Sequence, residues 1–389
     1  MKRFVWGDLS AAGRLAALER PKQRTDEKLR SAVQAIVDEV RRRGWRGVVD
    51  VAVRIDGEAP REIDVRPLAA EARRHLPADQ VAAMEFAAGR IAAFHQGSLP
   101  SDFAMETAPG LTVRKTWRAI DRVGLYVPGG KTPLFSSLMM LAIPARAAGV
   151  REMVTVTPPR SDGGLDERIA LAAELSGIGR IWTVGGAQAI AALAFGAGAI
   201  PKVDKVCGPG NAWVAEAKRL VSALPGGSAI DMPAGPSELM VIADESADTR
   251  LVAADLLSQA EHDAAAQVLL VTLTAALCDA VQAELEKRLS NIPRGKIAKA
   301  SLGNARFIHV ASLDEAIEVA NLYAPEHLSL AIAASNEAIA KVRNAGAVFA
   351  GSLAAETFGD YLAGSSHVLP TDGAARAWGG VSVYTFLKA

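Results

Sequence analysis

The stretch IWTVGGAQAIAALAFGAGAIPKVDKVCGPGN, Ile181 to Asn211, decides the fold class. Its first part, Ile181 to Pro201, is the only long uncharged run in the chain and has the length of a membrane span. Gly185 and Gly186 in its first third, with Gln188, Gly196 and Gly198 beyond, make it read instead as a strand (Ile181 to Val184), a turn and a buried helix (Ala187 to Phe195). Val203 to Cys207 then reads as the next strand, and Asn211 to Ser222 as the next helix. Upstream, the same rhythm joins Val123–Val127 to Ser136–Ala148 and Met153–Thr157 to Leu165–Ser176. It resumes after Asp231 with strands at Leu239–Ala243, Val268–Thr272, Phe307–Val310, Leu328–Ile332 and Ala347–Phe349, helices lying between them. Strand and helix alternating at this spacing predict an α/β fold of largely parallel sheets with crossover helices. Ahead of this region come a polar arm from Met1 to about Thr25 and a helix from Leu29 to Gly44. That helix carries Val33, Ile36, Val37 and Val40 on one face, and helical patterns follow near Leu68–His75 and Asp79–Gln96. Gly226, Gly227, Pro233, Gly235 and Pro236 punctuate a boundary between the two blocks.

Composition narrows the function. The chain has 389 residues, half of them hydrophobic and only 5% aromatic, so Ala, Val, Leu and Ile must build the core of two or three domains. Its 43 basic and 43 acidic side chains cancel. A zero net charge supplies no general attraction for phosphate backbones or anionic lipid, which points to a small-molecule ligand rather than nucleic acid or membrane. Cys207 and Cys278 are too few for a disulfide framework or a cysteine-rich zinc site and read as buried thiols of a reducing compartment. Lys2 and Arg3 are followed by Asp8 and Glu19 without an apolar signal core, which reads as no targeting segment and a cytoplasmic protein.

Four constellations carry candidate chemistry. Val127-Pro-Gly-Gly130, Gly185-Gly-Ala-Gln188 and the run from Cys207 to Asn211 each lie between an expected strand and an expected helix. Glycine there lets backbone approach phosphate, and a helix N-terminus favours negative charge; the bland reading is a tight turn. Gln259 and His262 stand three apart near the end of a helix, where one face would offer an amide oxygen and an imidazole to one metal ion. The bland reading there is a histidine suited to the negative end of the helix dipole. Glu326-His327 before a strand offers a carboxylate and an imidazole for proton transfer. Asp360, within Gly359-Asp-Tyr-Leu-Ala-Gly-Ser-Ser-His367, would complete a ligand set suited to zinc, manganese or cobalt, although an Asp after Gly is as readily a turn or cap.

These segments resemble the histidinol dehydrogenase family, along a likeness from about Val33 to Lys388. It is carried by Val-Gly-Leu-Tyr-Val-Pro-Gly-Gly130, Leu-Ala-Ile-Pro-Ala-Arg146, Val-Gly-Gly-Ala-Gln-Ala-Ile190, Gly-Pro-Gly-Asn211, Ile-Asp-Met-Pro-Ala-Gly-Pro-Ser237, the run from Ala253 to His262, Tyr-Ala-Pro-Glu-His327 and Gly-Asp-Tyr361. The resemblance implies a zinc- and NAD-dependent, four-electron oxidation of L-histidinol to L-histidine through the aldehyde. It assigns zinc to Gln259, His262 and Asp360, acid/base catalysis to Glu326 and His327, and NAD contacts to Tyr126, Gln188 and Asn211. Ser237 and His367 would touch substrate together with the zinc ligands and the Glu326-His327 pair.

The resemblance also implies two incomplete Rossmann-like domains and a homodimer. We expect an N-terminal arm at 1–24, a first domain at 25–126 and 238–380, an inserted second domain at 127–237, and the start of a C-terminal segment at 381–389. In the family that segment continues, crosses to the neighbouring subunit and supplies a further zinc-ligand histidine and a substrate-binding glutamate. With the sequence ending at Ala389 and no histidine after His367, the expectation is a three-ligand zinc shell and a weaker dimer. Ser365-Ser366 stands where the family usually has Pro-Asn. Alternatives are a paralogue oxidising another small amino alcohol or diol, and a family member of low or no activity for want of that C-terminal segment.

Overall fold

The computed structural model describes residues 1–21, 27–129, 133–233 and 235–389; Gly130 of the first glycine segment and the last residues of the arm lie outside them. The chain forms two compact units, one of Met1–Arg24, Ala234–Gly359 and Leu369–Gly380, the other of Thr25–Pro233, Asp360–Val368 and Val381–Ala389.

The first unit is built on six parallel strands in the order Lys2–Val5, Arg306–His309, Gln267–Thr272, Glu238–Ala243, His327–Ala331, Ala347–Ala350. All six residues of Glu238–Ala243 are buried, because helices cover both faces of a parallel sheet. Successive side chains alternate, Leu239, Val241 and Ala243 facing one core and Met240 and Ile242 the other.

The second unit carries Ala229–Ile230, Lys205–Cys207, Arg122–Tyr126, Glu152–Thr157 and Arg180–Thr183 as five parallel neighbours, closed at one edge by antiparallel Glu62–Asp64. Counted in chain order from Glu238–Ala243 in one unit and Arg122–Tyr126 in the other, five strands of each sheet run 3-2-1-4-5. That is the doubly wound, Rossmann-like order, in which the chain reverses direction beside the first strand. The α/β class expected from the strand and helix rhythm therefore holds in both units. The run Ile181–Pro201 is a strand and a helix, Gly186–Phe195, with Ala187 to Ala194 buried.

The arm's expected limits coincide with Met1–Arg24, but three segments group differently from expectation. Residues 25–126 were expected to join 238–380, but Arg122–Tyr126 is hydrogen-bonded between Glu152–Thr157 and Lys205–Cys207, so they group with 127–233. The N-terminal arm is an edge strand, Lys2–Val5, paired with Arg306–His309, and Trp6 after it is fully buried. Residues 381–389 pack into the second unit: Leu387–Lys388 pairs with Arg118–Ala119, and Phe386 is wholly buried in its core. In each case a pairing partner distant in sequence decides the grouping.

Candidate active site

In the first unit Glu326 and His327 are both 5% exposed and enter the central strands together. Pro325 and Ala324 lead into them, with Ala324 in the left-handed region at φ 56°. Gly346 is required beside them, since a Cβ there would lie 2.6 Å from the Glu326 carbonyl oxygen. Both side chains are held by the backbone of Glu238 on the neighbouring strand. Its N–H donates to Glu326 Oε2 at 2.8 Å, and its carbonyl accepts from His327 Nδ1 at 3.0 Å. A carbonyl accepts only from a protonated nitrogen, which puts the imidazole proton on Nδ1 and leaves Nε2 as the basic atom. Glu356, also buried, lies 3.7 Å from Nε2 and is fixed by Ser258 Oγ donating to its Oε2 at 3.2 Å. Burial pushes the Asp255 carboxyl, which accepts from the Glu356 N–H, up to about 6.

Gln259 stands on the helix Thr249–Ala260, next to Ser258. It is 3% exposed, and its Oε1 has no hydrogen-bond donor among the described residues. An orphaned buried acceptor is costly unless a ligand completes it, which suits Gln259 to a metal or polar substrate group. His262 is not on the same helix face as expected: the helix ends at Ala260, and His262 follows in a turn fixed by its N–H on Gln259 O and by Arg294 Nη2 on its own carbonyl. Ser237, half-buried, precedes Glu238, and its carbonyl accepts from the Gln267 N–H.

In the second unit the reversal of strand order falls between Arg122–Tyr126 and Lys205–Cys207, whose carboxyl ends carry Val127-Pro-Gly129 and Gly208-Pro-Gly-Asn211. Ligands of open α/β sheets gather at such a reversal. Gly208 has φ 128°, and a Cβ there would run into the Tyr126 carbonyl, so only glycine allows this approach. Beneath it the buried ion pair Lys218–Asp231 clamps the turn: Asp231 Oδ2 accepts from the Gly208 N–H at 2.7 Å, and Lys218 Nζ donates to the Gly208 carbonyl at 2.8 Å. Tyr126 ends its strand, buried, with its hydroxyl accepting from the Gly186 N–H at 3.3 Å and its ionisation pushed up to about 12 by burial. Gln188 Nε2 reaches Asp56 Oδ2 at 3.4 Å while its Oε1 is buried without a donor among the described residues. Asn211 caps the helix Ala212–Ala223, its Oδ1 accepting from the N–H groups of Trp213 and Val214.

Asp360 and His367 meet in the same unit. His367 Nδ1 lies 3.1 Å from Asp360 Oδ1, its Nε2 lies 2.9 Å from Ser137 Oγ, and its N–H points at Met140 Sδ. The carboxylate partner puts the proton on Nδ1, so Nε2 accepts from the Ser137 hydroxyl. In the unusual pair before His367, Ser366 is buried and its Oγ accepts from the Val368 N–H, a local turn contact. Arg20, Glu238, Glu356 and Ser137 were not found from sequence, because each is defined by a partner far along the chain.

Two sheets of dinucleotide-binding order and a buried carboxylate–imidazole pair are the frame and the acid/base site that a dehydrogenase needs. A family model described as histidinol dehydrogenase matches residues 18–389. The histidinol dehydrogenase of Xanthomonas euvesicatoria pv. vesicatoria (strain 85-10) is 48% identical over 387 residues, covering 99% of this chain and 90% of that relative. That of Legionella pneumophila (strain Lens) is 43% identical over 383 residues, covering 98% and 88%. The crystal structure of histidinol dehydrogenase from Elizabethkingia anophelis superposes with a TM-score of 0.94 at 37% identity, over 100% of this chain and 89% of that one. The chain belongs to the histidinol dehydrogenase family.

Proposed function

We propose that the protein oxidises L-histidinol to L-histidine in two successive two-electron steps, with NAD as oxidant and zinc as the resident metal. The observation that supports this most directly is the grip of the Glu238 backbone on both members of the Glu326-His327 pair, which presets one basic nitrogen and one carboxylate side by side. Tyr126, Gln188 and Asn211 are the proposed NAD contacts, supported by their place beside a strand reversal and two helix N-termini. Gln259, His262 and Asp360 would hold zinc; the orphaned Oε1 of Gln259 supports the set, and amide oxygen, imidazole and carboxylate are donors zinc accepts. Among the described residues no three His, Cys, Asp or Glu side chains cluster for a cation, so the amide is an essential member of this proposal. When bound, zinc would orient the substrate's imidazole and amine, and NAD would accept hydride from the carbinol carbon.

The chain's own residues then move protons. His327 Nε2 takes the hydroxyl proton as the alcohol becomes aldehyde. Glu326 takes a proton from the water that attacks the aldehyde, giving the hydrate whose oxidation yields the carboxylate. Ser237 and His367 are the proposed substrate contacts, the latter oriented by Asp360 and Ser137. Among the described residues no helix is long and apolar enough to cross a membrane, and a cytoplasmic homodimer without nucleic-acid or membrane partners is the setting proposed. NADH formed per histidinol consumed tests the function: the expected ratio is two, and a ratio of one would mean that the reaction stops at the aldehyde.

A further inference from the structure

We propose that Arg20 is a positioning residue that holds the Glu326-His327 pair in register from the N-terminal arm, an inference that rests on the acid/base role just assigned to that pair. One guanidinium joins the two backbone segments that set the pair. On one side Arg20 Nε and Nη2 form a forked ion pair with the Glu238 carboxylate, the second bond 2.9 Å long. On the other, Nη2 donates to the carbonyl of Tyr323 at 2.8 Å and reaches that of Ala324 at 3.3 Å. Those carbonyls lie immediately before Pro325-Glu326-His327, and Ala324, whose carbonyl the guanidinium reaches, is a non-glycine residue in the left-handed conformation, as is Asp372. The guanidinium also stacks on the Tyr323 ring, 3.9 Å from its centroid, and the Tyr323 hydroxyl is tied to Gln267 Oε1 at 2.8 Å.

The chain of effect is short. Glu238 is almost fully buried, and besides Arg20 its carboxylate accepts from the Asp372 N–H. Burial pushes the Glu238 ionisation above its ordinary value while Arg20 and the Asp372 N–H pull against it, so removing the guanidinium leaves a buried carboxyl without its cation. Without Arg20 the side chain must take a proton or seek another partner, and either shifts the backbone N–H and C=O that grip Glu326 and His327. A displacement of about 1 Å at a reacting group costs on the order of 10²-fold in rate. A lysine keeps the charge but not the planar fork, so it restores only part of the geometry.

The test uses the full chain and three variants, Arg20→Ala, Arg20→Lys and Glu238→Gln, with two readouts. The first is turnover of histidinol: Arg20→Ala should lower kcat by about 10²-fold with little change in KM for NAD, Arg20→Lys should recover part of it, and guanidinium ion added at non-denaturing concentration should rescue Arg20→Ala. Combining Arg20→Ala with Glu238→Gln should cost little beyond either alone, since both break one link. The second readout does not need activity: in ¹⁵N-histidine spectra the His327 Nδ1–H, assigned through His327→Asn, should be a protected resonance in the parent and lost or exchanging in Arg20→Ala. Should the parent protein not oxidise histidinol while the His327 signal still responds to Arg20, the functional reading fails and the positioning role stands. An unchanged His327 signal in Arg20→Ala overturns the inference. So does a folded Arg20→Ala protein with parent kcat, or a loss of rate that neither lysine nor guanidinium recovers.

Discussion

His327 and Glu326 are adjacent in sequence, yet each receives a different bond from one backbone residue, and this makes their roles separable. Glu238 accepts from the imidazole and donates to the carboxylate, so replacing one side chain leaves the tie on the other in place. His327→Asn is expected to slow alcohol oxidation, because the atom that takes the hydroxyl proton is gone. Glu326→Gln is expected to spare that step and impair oxidation of supplied aldehyde, since only the second step needs an activated water. Loss of a general base costs on the order of 10² to 10⁴ in rate. Single-turnover NADH formation from alcohol and from aldehyde separates the two, and a Glu326→Gln enzyme with normal aldehyde oxidation would remove Glu326 from the water-activating role. The pair itself was singled out in the sequence as a candidate for proton transfer, and Gln259, Asp360 and His367 as candidates for a metal or substrate, with their roles taken from the family resemblance. What the residues do to one another was not: Arg20 and Glu238 touch across 218 positions, and Glu238 reaches Glu326 across 88.

Among the secondary-structure elements, the helix Ala78–Gly97 carries an unusual load: His95 in its last turn is fully buried, and neither ring nitrogen has a hydrogen-bond partner among the described residues. Burial alone lowers its ionisation from the ordinary 6.5 to about 4. A depressed histidine is neutral in the folded state and protonates more readily when unfolded, so its contribution is intact above about pH 6.5 and lost as pH falls towards 4. The shift corresponds to about 3 kcal/mol. His95→Leu is therefore expected to flatten the fall in Tm between pH 6.5 and 4, measured by thermal unfolding in a pH series, and an unchanged slope would show that His95 finds a proton acceptor. Helices with a clear apolar stripe were readable from sequence, and Glu27–Arg43 buries the expected Val33, Ile36, Val37 and Val40. The helix Trp45–Asp56 was not readable. Its Val48, Val51 and Val53 suit a strand by local preference, and the helix is stabilised by burying Val48, Val51 and Ala52, with bare Gly47 against the Glu39 carbonyl. The hairpin Phe103–Ala108 with Leu111–Lys115 was missed for a related reason, since every residue in it is exposed and no buried face marks its period.

At the scale of the whole molecule that hairpin bears on association. Phe103, Met105, Leu111 and Val113 are each more than half exposed, and Met105 stands directly opposite Val113. Alternate positions of paired strands share a face, so these side chains form an apolar strip on a two-stranded ribbon that is marginal without a partner. A second copy of the chain is the occupant the proposed homodimer supplies. Met105→Lys with Val113→Lys is expected to lower the mass seen by light scattering at micromolar concentration while leaving the fold intact, and an undiminished dimer would place the interface elsewhere. The α/β class was legible because alternating strand and helix is a local rhythm, whereas the partition into two units depended on which strands pair across long intervals. The strand Lys2–Val5 shows how long such an interval is. Its partner Arg306–His309 is made about 300 residues later, which at roughly 5–20 residues per second is a delay of about 15 to 60 seconds on the ribosome. All strands of the second sheet are made within that interval and before any other strand of the first, so Lys2–Val5 and the adjoining Trp6 wait without a partner, and a chaperone that binds unpaired strands has its longest opportunity there.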